Sequence, residues 1–136
     1  MTQTTRRGTR IAHIGIAVRG LDAILPFYRD ILGMPEASLD DADGARIAGV
    51  AAGDALVELL ESEVADSPIA RFVDRNGPGI HHICFYVDDL DATLARAKAA
   101  GVTVIDEAPR VGAEGKRISF LHPKSTGGVL IELSEY

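Results

Sequence analysis

The sequence predicts an α+β fold: two tandem βαβββ modules that share one curved mixed sheet, with helices on its convex side. Three observations predict it. A short signature occurs twice, as AHIGIAVRGLDA (Ala12 to Ala23) and HHICFYVDDLDA (His81 to Ala92). Each copy has a later echo, ALVELLES (Ala55 to Ser62) and VLIELSEY (Val129 to Tyr136). Between the strand-like stretches lie runs with helical spacing. A chain of 136 residues suits a single domain with a modest core. Module 1 is expected at about 10–62, a connecting helix at about 67–76, and module 2 at about 80–136.

The first strand is expected over residues 11–18. Ala12, Ile14, Ile16 and Val18 alternate onto one face, and Ile11, His13, Gly15 and Ala17 onto the other. The first set makes a core face; the second is small around His13 and leaves room above it. Leu21 to Leu32 carries apolar residues at helical spacing, with Asp22 in the first turn, Pro26 early enough to be tolerated, and Gly33 as a stop. Residues 44–52 and 54–61 read as two strands joined near Gly53. In the second of them Leu56, Glu58 and Leu60 share a face, so a carboxylate sits in an otherwise apolar strand. Burying an unpaired charge is costly, so Glu58 must find a cation or take up a proton.

Ser67-Pro68 has the chemistry of a helix start, Ser as the cap and Pro at the first helical position. A helix to about Arg75 follows, and the run NGPG (Asn76 to Gly79) ends it. The second module repeats the plan. Ile83, Phe85 and Val87 form a core face, with His82, Cys84 and Tyr86 on the reverse. Asp91 to Ala100 is an alanine-rich helix stopped by Gly101. Strands are expected near Val102–Ile105, Arg117–Leu121 and Val129–Leu133.

Composition narrows the function. A net charge of −6 argues against a nucleic-acid partner, which requires clustered Lys and Arg. Arg6, Arg7 and Arg10 read as a loose polar tail, and the acidic stretch Leu39 to Asp43 as a solvated loop. No apolar run approaches the ~20 residues that span a bilayer. The first ten residues hold no apolar segment of a secretory leader. Cys84 is the only cysteine, so a reducing, cytoplasmic setting is expected.

The chemistry lies in the repeat. His13 recurs as His82, and Glu58 as Glu132. Each sits opposite the aliphatic face of its strand, so all four converge on the concave surface when the aliphatic faces pack against helices. Two imidazoles and two carboxylates suit one divalent transition ion such as Zn, Co, Ni or Mn. On an octahedral ion two adjacent positions stay open for two substrate oxygens. His81 falls on the core side by alternation and is given no ligand role. Cys84 reads as a buried small hydrophobe, and Tyr86 as a packing residue that could also line the pocket.

With these residues in place, the chain resembles the vicinal oxygen chelate (glyoxalase I–bleomycin resistance) superfamily, and within it the methylmalonyl-CoA epimerase family. The resemblance runs over nearly the whole chain, through HIGIAV, FYRDILG, ELLE, DSPIARF, GIHHI, GAEGK and FLHPKSTGGVLIEL. It implies a glyoxalase-like fold, a divalent ion held by His13, Glu58, His82 and Glu132, a small acyl-CoA substrate and a homodimer. The implied reaction removes the proton between the thioester and the carboxylate of a malonyl-type CoA ester, with the ion acting as a Lewis acid on the enolate. Epimerisation needs an acid/base group on each face of that carbon, and the resemblance makes Glu132 one of them. The chain departs from part of the family at Ile47, where several relatives carry a second glutamate. It also carries Glu58 where some relatives have glutamine. Glu58 is therefore expected as the opposite-face base.

In the loop HPKSTGG (His122 to Gly128), two readings stand. It is a turn with locally satisfied Ser and Thr, or Lys124 or Ser125 binds the substrate carboxylate or the CoA phosphates. The competing enzyme is glyoxalase I, a lyase acting on a glutathione hemithioacetal, which glutamate at both 58 and 132 would suit. Extradiol dioxygenases use one carboxylate, and sequestering relatives favour aromatic pockets, whereas this chain has no Trp.

Overall fold

The computed structural model describes residues 7–41 and 44–136. One eight-stranded sheet runs through the chain: β1 (Arg10–Val18), β2 (Glu36–Ala37), β3 (Ala45–Ala52), β4 (Ala55–Ser62), β5 (Gly79–Val87), β6 (Arg110–Val111), β7 (Arg117–Leu121) and β8 (Ile131–Glu135). Three helices interrupt it, α1 (Leu21–Pro26), α2 (Pro68–Asn76) and α3 (Leu90–Ala99). The sheet order is β2-β3-β4-β1-β5-β8-β7-β6. Each module is therefore βαβββ, and the modules meet along β1 and β5, which pair antiparallel at the centre. Each central strand has the last strand of its own module as a parallel neighbour, β4 for β1 and β8 for β5.

The alternation read from the sequence sorts side chains to the two faces. On the convex face of module 1, Val18 and Leu59 pack with Leu21, Ile24 and Leu25 of α1. In module 2, Val87, Leu121 and Leu133 pack with Leu90 and Leu94 of α3. Asp89 caps α3 by accepting from Ala92 N, and Gly101 leaves the helix at φ 84°, a conformation costly for any side chain. The connecting helix behaves differently. Ser67 caps α2 by accepting from Ala70 N, as its sequence predicts, but Ile69, Phe72 and Val73 pack on Ala17, Ala45 and Leu60. Ala17 and Leu60 share the parity of His13 and Glu58. α1 and α3 thus lie on the convex side as expected, and α2 walls one end of the opposite face.

Three expectations are corrected. The helix expected over Leu21 to Leu32 is α-helical only to Pro26, and Phe27–Ile31 continues as a wider π turn, with Leu32 N donating to Phe27 O at 3.0 Å. Pro26 has no N–H to give to the turn before it, and the hydrogen-bond spacing changes there. The strand expected at Val102–Ile105 shrinks to a single bridge between Val104 and Leu121. Asp106 Oδ2 accepts from Phe120 N at 3.0 Å, displacing the carbonyl that would extend the ladder, and the edge strand forms later as β6. The N-terminal arginines are not a loose tail where they are described. Arg10 is in β1, Arg7 N donates to Asp88, and both guanidinium groups lie over the Tyr136 ring. Arg6, Ala42 and Asp43 lie outside the described residues. Within the acidic loop, Asp41 accepts from Ile47 N.

Candidate metal centre

The central strands build the site. Across β1 and β5, His13 faces Cys84 and Gly15 faces His82. Across the parallel pairs, Gly15 stands beside Glu58 and Cys84 beside Glu132. Gly15 and Cys84 are thus repeat-related positions, each set between an imidazole and a carboxylate. A Cβ added at Gly15 would fall 2.2 Å from His82 Cε1, so glycine there is what lets the His82 ring lie over the sheet. The room that the sequence shows beside His13 is filled by this ring.

The four residues expected to meet do meet. His13, Glu58, His82 and Glu132 are between 3% and 5% exposed. His13 is the hub. Its Nε2 lies 3.0 Å from His82 Nε2 and 3.1 Å from Glu132 Oε1, and His82 Nε2 is 3.0 Å from the same carboxylate oxygen. The two rings stand edge to face at 88°. On the other edge of the hub, Nδ1 lies 2.9 Å from Glu58 Oε2 and 3.1 Å from Glu114 Oε2. The cluster opens into a cavity of about 260 Å³ whose walls include Ile47, Leu60, Ile69, Ile118, Phe120 and Leu130.

Sequence reasoning missed one residue here and misplaced another. Glu114, in the turn between β6 and β7, reaches the His13 ring, and its other oxygen accepts from Tyr86 OH at 3.0 Å. Strand parity says nothing about a side chain on a turn. His81 was expected on the core side. Opposite Gly15 and Ile16 the pairing skips from His82 to Ile80, leaving His81 as the extra residue of a bulge. Alternation fails at the bulge, so His81 joins His82 in the cavity wall, its Nδ1 2.9 Å from His82 Nδ1 and its ring against Phe72.

Lys124 and Ser125 are not among the residues lining the cavity. Ser125 Oγ accepts from Thr103 N, and Lys124 is exposed. Ile47 does line the cavity, and an aliphatic side chain there offers no proton. Cys84 is fully buried and burial pushes its thiol up to about 12, in keeping with a packing role.

The donor set fits a divalent transition ion. The buried Glu58 Oε2 has no aligned hydrogen-bond partner, although Nδ1 is near it. Such an oxygen calls for a cation or a proton. Three donor atoms, two imidazole nitrogens and one carboxylate oxygen, stand 3.0 to 3.1 Å apart in a triangle. Neighbouring ligands at about 2.1 Å from one ion, set at right angles, are separated by about 3.0 Å. The local charge has the same sense. Burial pulls His13 down, but Cys84, Glu114, Glu132 and Glu58 outweigh it and the net shift is upward. Burial works against the Glu132 carboxylate, yet hydrogen bonds from His13 and His82 hold it at about 2. His81 is pushed down to about 4, by burial first and by His82 second, so it stays neutral beside the cluster. The site draws positive charge onto buried carboxylates.

The chain is similar to known proteins over nearly its whole length. The Glyoxalase/Bleomycin resistance protein/Dioxygenase superfamily matches residues 10–133. The ethylmalonyl-CoA/methylmalonyl-CoA epimerase of Cereibacter sphaeroides is 40% identical over 130 residues, 93% of this chain and 97% of that one. The crystal structure of methylmalonyl-CoA epimerase from Mycobacterium tuberculosis superposes with a TM-score of 0.88 at 39% identity, covering 99% of this chain and 92% of that one. A variant of the Streptomyces coelicolor methylmalonyl-CoA epimerase in complex with 2-nitronate-propionyl-CoA gives a TM-score of 0.88 at 40% identity, covering 93% of each chain. With its paired modules, its repeat-related histidines and glutamates and these relatives, the chain belongs to the Glyoxalase/Bleomycin resistance protein/Dioxygenase superfamily and, within it, to the methylmalonyl-CoA epimerase family.

Proposed function

We propose that this protein is an isomerase that epimerises methylmalonyl-CoA or a close 2-alkylmalonyl-CoA, with one divalent ion (Co, Zn, Mn or Ni) held by His13, Glu58, His82 and Glu132. The observation that carries the reading is the buried cluster of two imidazoles and two carboxylates opening into an apolar cavity, in a chain whose relatives are named as such epimerases. When bound, the ion supplies Lewis acidity that makes the carbon between thioester and carboxylate more acidic.

The chain's own residues do the rest. Glu58 and Glu132 flank the His13 ring on opposite edges. Two carboxylates so placed suit removal of a proton from one face of the carbon and its return on the other. Glu132 serves one face. Glu58, with its unpartnered oxygen and with Ile47 unable to exchange a proton, serves the other. Ile47, Leu60, Ile118 and Phe120 exclude water from the carbanion. The cavity, about 260 Å³, has room for a malonyl-type head group, and the nucleotide end of CoA lies outside it.

Solvent exchange tests the proposal. Incubation of cobalt-loaded protein with methylmalonyl-CoA in D₂O is expected to erase the α-proton NMR signal, and the protein stripped of metal is expected not to. An unchanged signal, together with turnover of the glutathione–methylglyoxal hemithioacetal, would replace this reading with a glyoxalase I activity. Glu58→Gln is expected to lower turnover about 10²-fold or more, the usual worth of one acid/base group, while the protein still binds metal. Undiminished turnover removes Glu58 as the second base. A homodimer belongs to the same reading, and sedimentation checks it.

A further inference from the structure

Glu114 stands outside the quartet, yet it is held against it with care. It lies in the turn between β6 and β7, which Gly112 N and Lys116 O close at 2.9 Å, and Asp40 N ties the turn to module 1 by donating to Ala113 O at 3.2 Å. Tyr86 OH donates to Glu114 Oε1 at 3.0 Å, Lys116 Nζ donates to Tyr86 OH at 3.1 Å, and the same ammonium lies over the Tyr86 ring at 4.3 Å. One carboxylate oxygen is thereby fixed, and the other points at His13 Nδ1, 3.1 Å away and aligned for a hydrogen bond. Glu58 comes nearer to the same nitrogen but out of line, and its oxygen stays unpaired.

An imidazole offers an ion one nitrogen, and the partner of the other nitrogen decides which. We infer that Glu114 is a positioning residue: it accepts the Nδ1–H of His13, and so turns Nε2 toward His82 Nε2 and Glu132 Oε1, where the ion binds. Tyr86 and Lys116 act one step further out, holding the Glu114 carboxylate at the angle that His13 requires. This rests on the metal reading above, in which Glu58, here against Nδ1, would have to turn from that edge of the ring to join the other three ligands. It also gives the departure from symmetry a purpose. The two histidines are repeat-related, but only His13 has carboxylates against its outer nitrogen, whereas His82 Nδ1 meets His81.

Zinc-loaded, ¹⁵N-labelled protein tests it without recourse to turnover. Long-range ¹H–¹⁵N spectra of the imidazoles are expected to show His13 with a proton on Nδ1 that exchanges slowly with solvent. Glu114→Ala is expected to speed that exchange and to weaken zinc about 10- to 100-fold in competition with a chromophoric chelator, the range found for such supporting partners. Glu114→Gln, whose amide oxygen still accepts, should recover most of both, and Tyr86→Phe should fall between. An unchanged proton and unchanged zinc affinity in Glu114→Ala overturn the inference. So does a loss of affinity with the proton retained, which would make Glu114 a direct ligand. Release of the proton by Glu58→Gln instead would transfer the role to Glu58. If Glu114→Ala does not fold, Tyr86→Phe decides alone, and wild-type behaviour there overturns the assignment. A wild-type protein that takes up no zinc fails at the metal reading itself, a result distinct from all of these.

Discussion

Gly15 carries as much of the site as any of the four clustered side chains does. His82 has a place only because residue 15 has no side chain, since a Cβ would sit 2.2 Å from the ring. Gly15→Ala is therefore expected to displace His82 while the strand itself survives, because β1 is fixed by pairing on both sides. Zinc affinity should fall by at least about 10-fold, no less than from loss of a supporting group. Chelator competition measures this, and circular dichroism checks that the sheet is kept. Cys84, at the repeat-related position, makes the reverse point. A side chain is tolerated there, but it is fully buried, and its thiol is pushed up to about 12 by burial. Thiolate is the reactive form. Native protein at pH 7.5 is expected to resist iodoacetamide, and denatured protein to be labelled at Cys84, as intact mass will report.

Elements follow local chemistry wherever that chemistry is self-contained. The Ser67-Pro68 start works as a short-range signal, and α2 begins where the sequence says, whereas α3, expected from Asp91, begins one residue earlier at Leu90 with Asp89 as its cap. Ser67→Ala removes the acceptor for Ala70 N and also one of the partners of Ser62 Oγ, at 2.6 Å. It should cost about 1 kcal/mol, in the range for lost helix caps, and urea denaturation will show it. Leu59 is a sterner case. It is fully buried between the sheet and α1, and Leu59→Ala should cost about 2–5 kcal/mol by transfer and cavity terms together. The elements that departed from expectation did so for two kinds of reason, one long-range and one local. Asp106 reaches Phe120 N and shortens a strand, while Pro26 changes the spacing of a helix from within.

At the scale of the whole molecule, one sheet joins two modules, and its four middle strands, β4, β1, β5 and β8, bring four distant residues to one spot. No described helix is long and apolar enough to cross a membrane. An ion that binds the folded cluster and not the unfolded chain must raise stability. Free zinc at 100 times its dissociation constant should add about 2.7 kcal/mol, seen as a shift in the urea midpoint that chelator reverses. The sequence by itself determined the repeat, the faces of most strands, the capped start of α2 and the quartet His13, Glu58, His82 and Glu132, because period-2 alternation and internal duplication are written in local order. Only the tertiary structure decided the rest. The bulge at His81 depends on how β5 pairs with β1. The seat of α2 on the concave face depends on Ile69 finding Ala17 and Leu60. Glu114 reaches His13 because a turn folds back over the sheet. Each of these is set by contact between segments far apart in the chain, and neither spacing nor residue type encodes such contact.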